Sequence, residues 1–415
     1  MKVFAAIDVG SYELAMKIFE ISGKGVLKCI DHVRHKIELG TDTYNTGKIS
    51  QPRVEELCRV LNRFKDIMRS YKVSSYKAYG TSAIRETKNT KIILEQIKLK
   101  TGLDVGVLSN SEQRLLHYKA VASRGDKFNE FIKKGCAIVD IGGGSIQISL
   151  FDDEKLVTTQ NLRLGILRMR EMLSDLQPKT NDYAHLIEEL CDNHLKPFES
   201  LYLKGTKIEN IILVDDYISH IMNKIYGNDM LTSEEYKKFG LNFKKNMPTD
   251  AAKLLAVPEE NISLIMPSAL LLRRIIKYTK AERLWAPGVS LADGMAYEFA
   301  EREKLIKDQH NFDEDIIAEA RNMCLKYQGN VTRNELLERT AVRLFDASRR
   351  LHGMGSRERL LLRTVAILND CGRYISLEAP VHVAVLFQAI YHGCRFRVKN
   401  DRGNDRGTGV LSCQK

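Results

Sequence analysis

The chain has 415 residues, enough for two to four domains at roughly 100–200 residues each. Hydrophobic residues make up 44% and charged residues 28%, as in ordinary globular proteins, and no apolar run reaches the roughly 18 residues a membrane helix needs. The formal charge of +11 favours an anionic partner without choosing among polyphosphate, nucleotide and nucleic acid.

The opening, Met1-Lys2-Val3-Phe4-Ala5-Ala6-Ile7-Asp8, meets an acid too early for a secretory signal. The eight cysteines (Cys29, Cys58, Cys136, Cys191, Cys324, Cys371, Cys394 and Cys413) are scattered and contain no Cys-x-x-Cys pair. Both features predict a cytoplasmic protein with reduced thiols, and the spacing offers no zinc-ligand pair.

Residues 3–7 predict a strand that ends in the turn Asp8-Val9-Gly10-Ser11, and 14–21 predict its partner. Val54, Leu57, Val60, Leu61, Phe64, Ile67 and Met68 recur at helical spacing, so 51–71 read as an amphipathic helix. A strand over 76–80, a helix over 89–101 and a strand over 105–108 follow. Residues 111–121 read as a helix capped by Ser111. Then strand 136–139 leads into Asp140-Ile141-Gly142-Gly143-Gly144-Ser145, and strand 146–151 leaves it. This repeats the first hairpin some 130 residues later.

The stretch 179–250 is mixed, with a strand in 206–214. A helix is expected within 262–281 after Pro267, then a strand and turn over 284–294 and a helix over 295–304. Beyond 307 the pattern is helical: 313–327, 332–351, 356–369 and 381–391, with a boundary in 304–313. The helical pattern stops near Gly393. Residues 395–415, rich in Gly, Arg and Asp, read as a disordered tail.

Three successive glycines at 142–144 strip a turn of side chains, so its amides can converge on an anion. Asp8 and Asp140 become paired carboxylates, one per hairpin, whose hard oxygens suit a divalent cation. Two such hairpins are the layout of actin-like ATPase and phosphatase folds. The pair speaks for architecture more than for reaction.

Two intervening stretches speak for reaction. They are Thr81-Ser82-Ala83-Ile84-Arg85-Glu86 and Ser111-Glu112-Gln113-Arg114-Leu115. With the two hairpins, in this order, they resemble the exopolyphosphatase / guanosine-pentaphosphate phosphatase (Ppx/GppA) family. The resemblance implies an α/β fold of two actin-like (ribonuclease H-like) lobes, 1–124 and 125–305, around a phosphate-binding cleft. A C-terminal all-α HD-like domain over 306–394 would follow. Sugar kinases share the hairpins but lack the two stretches.

By the same resemblance Glu112 is the catalytic base that activates water, and Arg85 grips phosphate through its planar fork. Asp8 and Asp140 would hold Mg²⁺, with Mn²⁺ the alternative. Ser11, Gly143, Gly144 and Ser145 would contact phosphate. The implied reaction is release of terminal orthophosphate from inorganic polyphosphate. Guanosine pentaphosphate is the alternative substrate, and a low-activity sensor of either polyanion is a further reading. No membrane partner and no nucleic acid is expected, and a homodimer is left open.

Three departures stand out. Gln147 occupies the place of a family glutamate. Val214-Asp215-Asp216-Tyr217-Ile218 replaces a glycine–threonine turn, and Val289-Ser290-Leu291-Ala292-Asp293-Gly294 lacks an arginine. In the helical domain, Asn369-Asp370 stands in place of His-Asp, His382 matches a later histidine, and no histidine occurs in 332–335. That degeneracy implies a structural domain without a catalytic metal.

Overall fold

The computed structural model describes residues 2–22, 27–180, 182–215, 217–238, 259–306 and 310–374, and two short strands at 397–399 and 410–412. The described chain forms two compact units. One comprises 1–109, 113–154 and 159–310; the other comprises 110–112, 155–158 and 311–415.

The first unit is built on two sheets. Strands β1 (Lys2–Val9), β2 (Glu13–Ile21), β3 (Leu27–Lys36), β4 (Ser75–Gly80) and β5 (Gly106–Val107) form the first, in the order β3-β2-β1-β4-β5. β1 pairs antiparallel with β2 and parallel with β4. Strands β6 (Cys136–Ile141), β7 (Ile146–Asp152), β8 (Lys155–Leu162), β9 (Asn210–Val214), β10 (Met230–Thr232) and β11 (Arg283–Trp285) form the second, in the order β10-β11-β9-β6-β7-β8. Here β6 pairs antiparallel with β7 and parallel with β9, which repeats the first sheet's core pattern.

β1 is apolar on both faces because both faces are covered. Ala5, Ile7 and Val9 join the cluster that buries Leu57, Leu61 and Phe64 of helix Gln51–Ser70. The alternate residues Phe4 and Ala6 pack with Met295, Ala296 and Phe299 of helix Leu291–Arg302. Phe4 and Phe299 stack with ring centroids 4.4 Å apart. A strand buried on both sides reads as a continuous apolar run, as 3–7 does.

Several expectations shift on inspection. The helix expected at 111–121 spans Asn110–Ala122, so Ser111 lies inside its first turn and does not cap it. Pro267 lies within helix Glu259–Thr279 and does not precede it. Helix Leu39–Thr46 and strand β3 have no counterpart in the reading above: the first is short, and the second is an edge strand that mixes lysine, histidine and aspartate with its apolar residues.

The second unit holds helices Phe312–Lys326, Val331–Ala347, Arg349–His352 and Ser356–Leu368. Ile317, Ala320, Met323, Ile367 and Leu368 form its core. The expected helix over 381–391, with His382, lies outside the described residues. Of 395–415, only the antiparallel pairing of Arg397–Lys399 with Val410–Ser412 is described. No helix among the described residues is long and apolar enough to cross a membrane.

Candidate active site

Each hairpin turns the same way. Gly10 N–H donates to the Glu13 carbonyl at 3.0 Å, and Gly142 N–H donates to the Ser145 carbonyl at 3.0 Å. Asp8 lies opposite Ala15 in its hairpin, and Asp140 opposite Gln147 in the other. The two turns meet at one cavity of about 120 Å³, lined by Asp8, Gly10, Ser11, Asp140, Gly142, Gly143 and Ser145.

Close backbone approach explains the glycines. A Cβ on Gly143 would stand 3.1 Å from the Ser11 Cβ. One on Gly144 would stand 2.1 Å from the Tyr44 hydroxyl and 2.6 Å from the Ser82 Oγ. Gly143 thus packs tightly on Ser11 of the first loop, and Gly144 sits where a side chain would collide with Tyr44 and Ser82.

Three hydroxyls gather where the loops meet. Ser11 Oγ is hydrogen-bonded to Tyr44 Oη at 2.9 Å and to Ser82 Oγ at 2.8 Å, and those two are 3.1 Å apart. Arg168 lays its guanidinium 4.1 Å over the Tyr44 ring, and its Nε donates to the Gly144 carbonyl at 2.8 Å. Its Nη2 also meets Glu86 Oε2 at 2.7 Å. Burial pushes the Tyr44 phenol up, against the lowering effect of the two serine bonds and of Arg168, so Tyr44 stays a neutral phenol.

Asp140 is buried, and its Oδ2 lies 2.5 Å from Nδ1 of buried His117. His117 lines the cavity with Gln113, one turn earlier on the same helix. Gln147, opposite Asp140 and therefore on the same face of the sheet, is 3% exposed. Neither Gln147 Oε1 nor Nε2 has a hydrogen-bond partner among the described residues.

The other predicted residues divide. Arg85 does not line the cavity; its Nη1 donates to the Leu108 carbonyl at 2.7 Å and to Gln113 Oε1 at 3.3 Å. Glu112 is exposed in the first turn of helix Asn110–Ala122, in the segment that belongs to the second unit. The variant turn at 214–218 places Asp215 on the cavity. Its Oδ1 accepts from the backbone of Tyr217 at 2.7 Å and starts helix Ile218–Tyr226, while Oδ2 accepts from Ser268 Oγ at 2.9 Å.

In the variant segment 289–294, Asp293 closes a capping box with Ser290 and pairs with Lys17 at 2.7 Å. Burial works against ionisation of Asp293, yet Lys17 and Ser290 outweigh it and hold its carboxyl below the usual range. Tyr44, Arg168, His117 and Asp215 carry no role in the sequence reading. Asp215 was quoted only as part of a replaced turn, and His117 stands two residues beyond the quoted Glu112 stretch.

The Ppx/GppA phosphatase family matches this chain over residues 18–303. A guanosine-5'-triphosphate,3'-diphosphate pyrophosphatase of Vibrio atlanticus is 23% identical over 409 residues, covering 93% of this chain and 76% of that one. Exopolyphosphatase 1 of Mycobacterium tuberculosis is 27% identical over 206 residues, covering 48% of this chain and 57% of that one. The chain thus spans little more than half of the latter's length.

Among solved structures, an Aquifex aeolicus member of the Ppx/GppA family superposes with a TM-score of 0.60 at 24% identity, over 73% of this chain and 98% of that one. An exopolyphosphatase from Cytophaga hutchinsonii superposes with a TM-score of 0.63 at 16% identity, over 74% and 100%. At these identities the likeness speaks for the fold: two actin-like lobes with a helical region after them. The duplicated hairpins, the glycine loop and the match over most of the two lobes together place this chain in the Ppx/GppA phosphatase family.

Proposed function

We propose that the chain hydrolyses terminal phosphoanhydride bonds, with inorganic polyphosphate as the first substrate and guanosine pentaphosphate as the second. The observation that carries the reading is the meeting of two Asp-x-Gly turns on one cavity, with loop backbone and hydroxyls facing the same space. The net charge of +11 suits a long polyanion. The relatives named for each substrate support both.

Asp8 and Asp140 offer hard carboxylate oxygens that fit Mg²⁺ or Mn²⁺, and such an ion would offset the charge of the terminal phosphate. The amides of Gly143, Gly144 and Ser145 receive phosphate oxygens without a side chain in the way. Ser11 donates from the opposite turn. Arg85, close behind through Gln113, clamps an equatorial oxygen once phosphate enters. Glu112 takes the proton from the attacking water. His117 holds Asp140 in place through its Nδ1 contact.

A second reading, binding without turnover, is favoured by Gln147. It sets a neutral amide beside Asp140 where a charge would help hold a metal. One experiment separates the readings: phosphate release from polyphosphate and from guanosine pentaphosphate with Mg²⁺, beside binding of each. Release that falls about 100-fold or more in Glu112→Gln supports the hydrolase. Binding without release selects the sensor. Release untouched by Glu112→Gln removes this base from the mechanism.

A further inference from the structure

A second group of chemically loaded side chains lies in the helical unit. Cys324, Asp370 and Cys371 offer ligand atoms that all lie within 4.8 Å of one another, the one such group among the described residues. All are buried: Cys324 is 2% exposed, Cys371 1% and Asp370 6%. The two cysteines are unbridged thiols. The spacing rule applied to the sequence finds ligand pairs only within short stretches. Here the helix end at 324 and the turn after helix Ser356–Leu368 bring together residues remote in the chain.

Asn334, 2% exposed, is aimed at the same spot. Its Nδ2 reaches Cys324 Sγ at 3.4 Å, the Ile367 carbonyl at 3.0 Å and Asp370 Oδ1, while its own Oδ1 has no partner among the described residues. A buried carbonyl oxygen left unbonded is costly, about 1–3 kcal/mol. Turning the amide over would put that oxygen among the sulfur and carboxylate ligands; the two orientations of an asparagine amide differ by this exchange alone. Gly329 backs the group. A Cβ there would stand 2.6 Å from Cys324 Sγ and 2.8 Å from Asp370 Oδ1, so glycine keeps the pocket's wall clear. Asp370 Oδ2 is steadied by the Asn330 N–H at 2.8 Å.

We propose that Cys324, Cys371, Asp370 and Asn334 form a structural Zn²⁺ site that ties helix Phe312–Lys326 to the turn at 370–371. Two sulfurs and two oxygens make a four-ligand set, and thiolates select zinc over the hard ions suited to the phosphate cavity. Tetrahedral zinc with sulfur at about 2.3 Å sets the sulfurs about 3.8 Å apart, inside the 4.8 Å within which the ligand atoms lie. The reading does not rest on the proposed hydrolase activity.

The test uses the full chain. Zinc content is measured after purification without a metal-affinity step. The chelator-stripped protein is then titrated with Zn²⁺ and Co²⁺, with circular dichroism to confirm folding. One equivalent of zinc and a thiolate-to-cobalt charge-transfer band are expected. Cys324→Ser/Cys371→Ser should lose the band and bind at least about 100-fold more weakly. Because that variant could fail to fold, Asn334→Asp gives an independent check: a charged fourth oxygen should tighten binding about tenfold. Folded wild-type protein that takes up no metal overturns the proposal. So does an intramolecular disulfide joining Cys324 and Cys371, or equal metal retention by the double serine variant.

Discussion

The two hairpins share a turn, a register and an aspartate, yet they are not equivalent. Asp8 faces Ala15 across its sheet, while Asp140 faces Gln147 and has His117 against its carboxylate. The first turn has one glycine and presents Ser11. The second has three glycines and presents backbone. A duplicated scaffold has therefore been divided in labour, with one copy closing the hydroxyl cluster and the other shaping the cradle and orienting a carboxylate.

The contrast can be broken at Asp140 first. Asp140→Asn should lower phosphate release about 1,000-fold and Asp8→Asn about 100-fold, because the former disturbs the 2.5 Å contact that His117 makes with Asp140. Steady-state rates on the same substrate check the order, and equal losses would mean the hairpins contribute alike. Gly144→Ala comes next. Its Cβ would collide with the Tyr44 hydroxyl, so the loops must part, and about 2 kcal/mol of stability should go with most of the substrate affinity. Urea unfolding and binding titration measure both.

A smaller effect concerns Asp293, whose carboxyl Lys17 and Ser290 hold low. A depressed folded pKa adds stability that is full above about pH 4 and fades as pH falls further. Asp293→Asn should cost about 2 kcal/mol at neutral pH and flatten the acid limb of stability against pH. Unchanged acid unfolding would remove this role. The smallest effect is expected at Gln147. Its amide makes no hydrogen bond among the described residues, so Gln147→Met should alter stability by less than about 1 kcal/mol. Any loss of polyphosphate binding in that variant then measures what the amide does for the ligand.

Much of this architecture was legible because it is written in short-range pattern. The apolar run at 3–7, the helical stripe from Val54 to Met68 and the two Asp-x-Gly turns all describe local geometry. Tyr44 and Arg168 were not legible, because their meaning arises only when the helix at 39–46 and the helix after Gly165 converge on Ser82 and Gly144. His117 stood in plain view but needed Asp140, from another element, to acquire a function. The cysteine group failed the spacing rule for the same reason: Cys324 meets Asp370 and Cys371 through tertiary folding alone.

The stacking of Phe4 on Phe299 has a consequence for how the protein is made. The first strand leaves the ribosome long before the helix that covers one of its faces has been translated. Until residues 291–302 emerge, Phe4 and Ala6 lack their cover, and such late, sequence-distant closure makes folding slow and the nascent chain dependent on shielding from its neighbours.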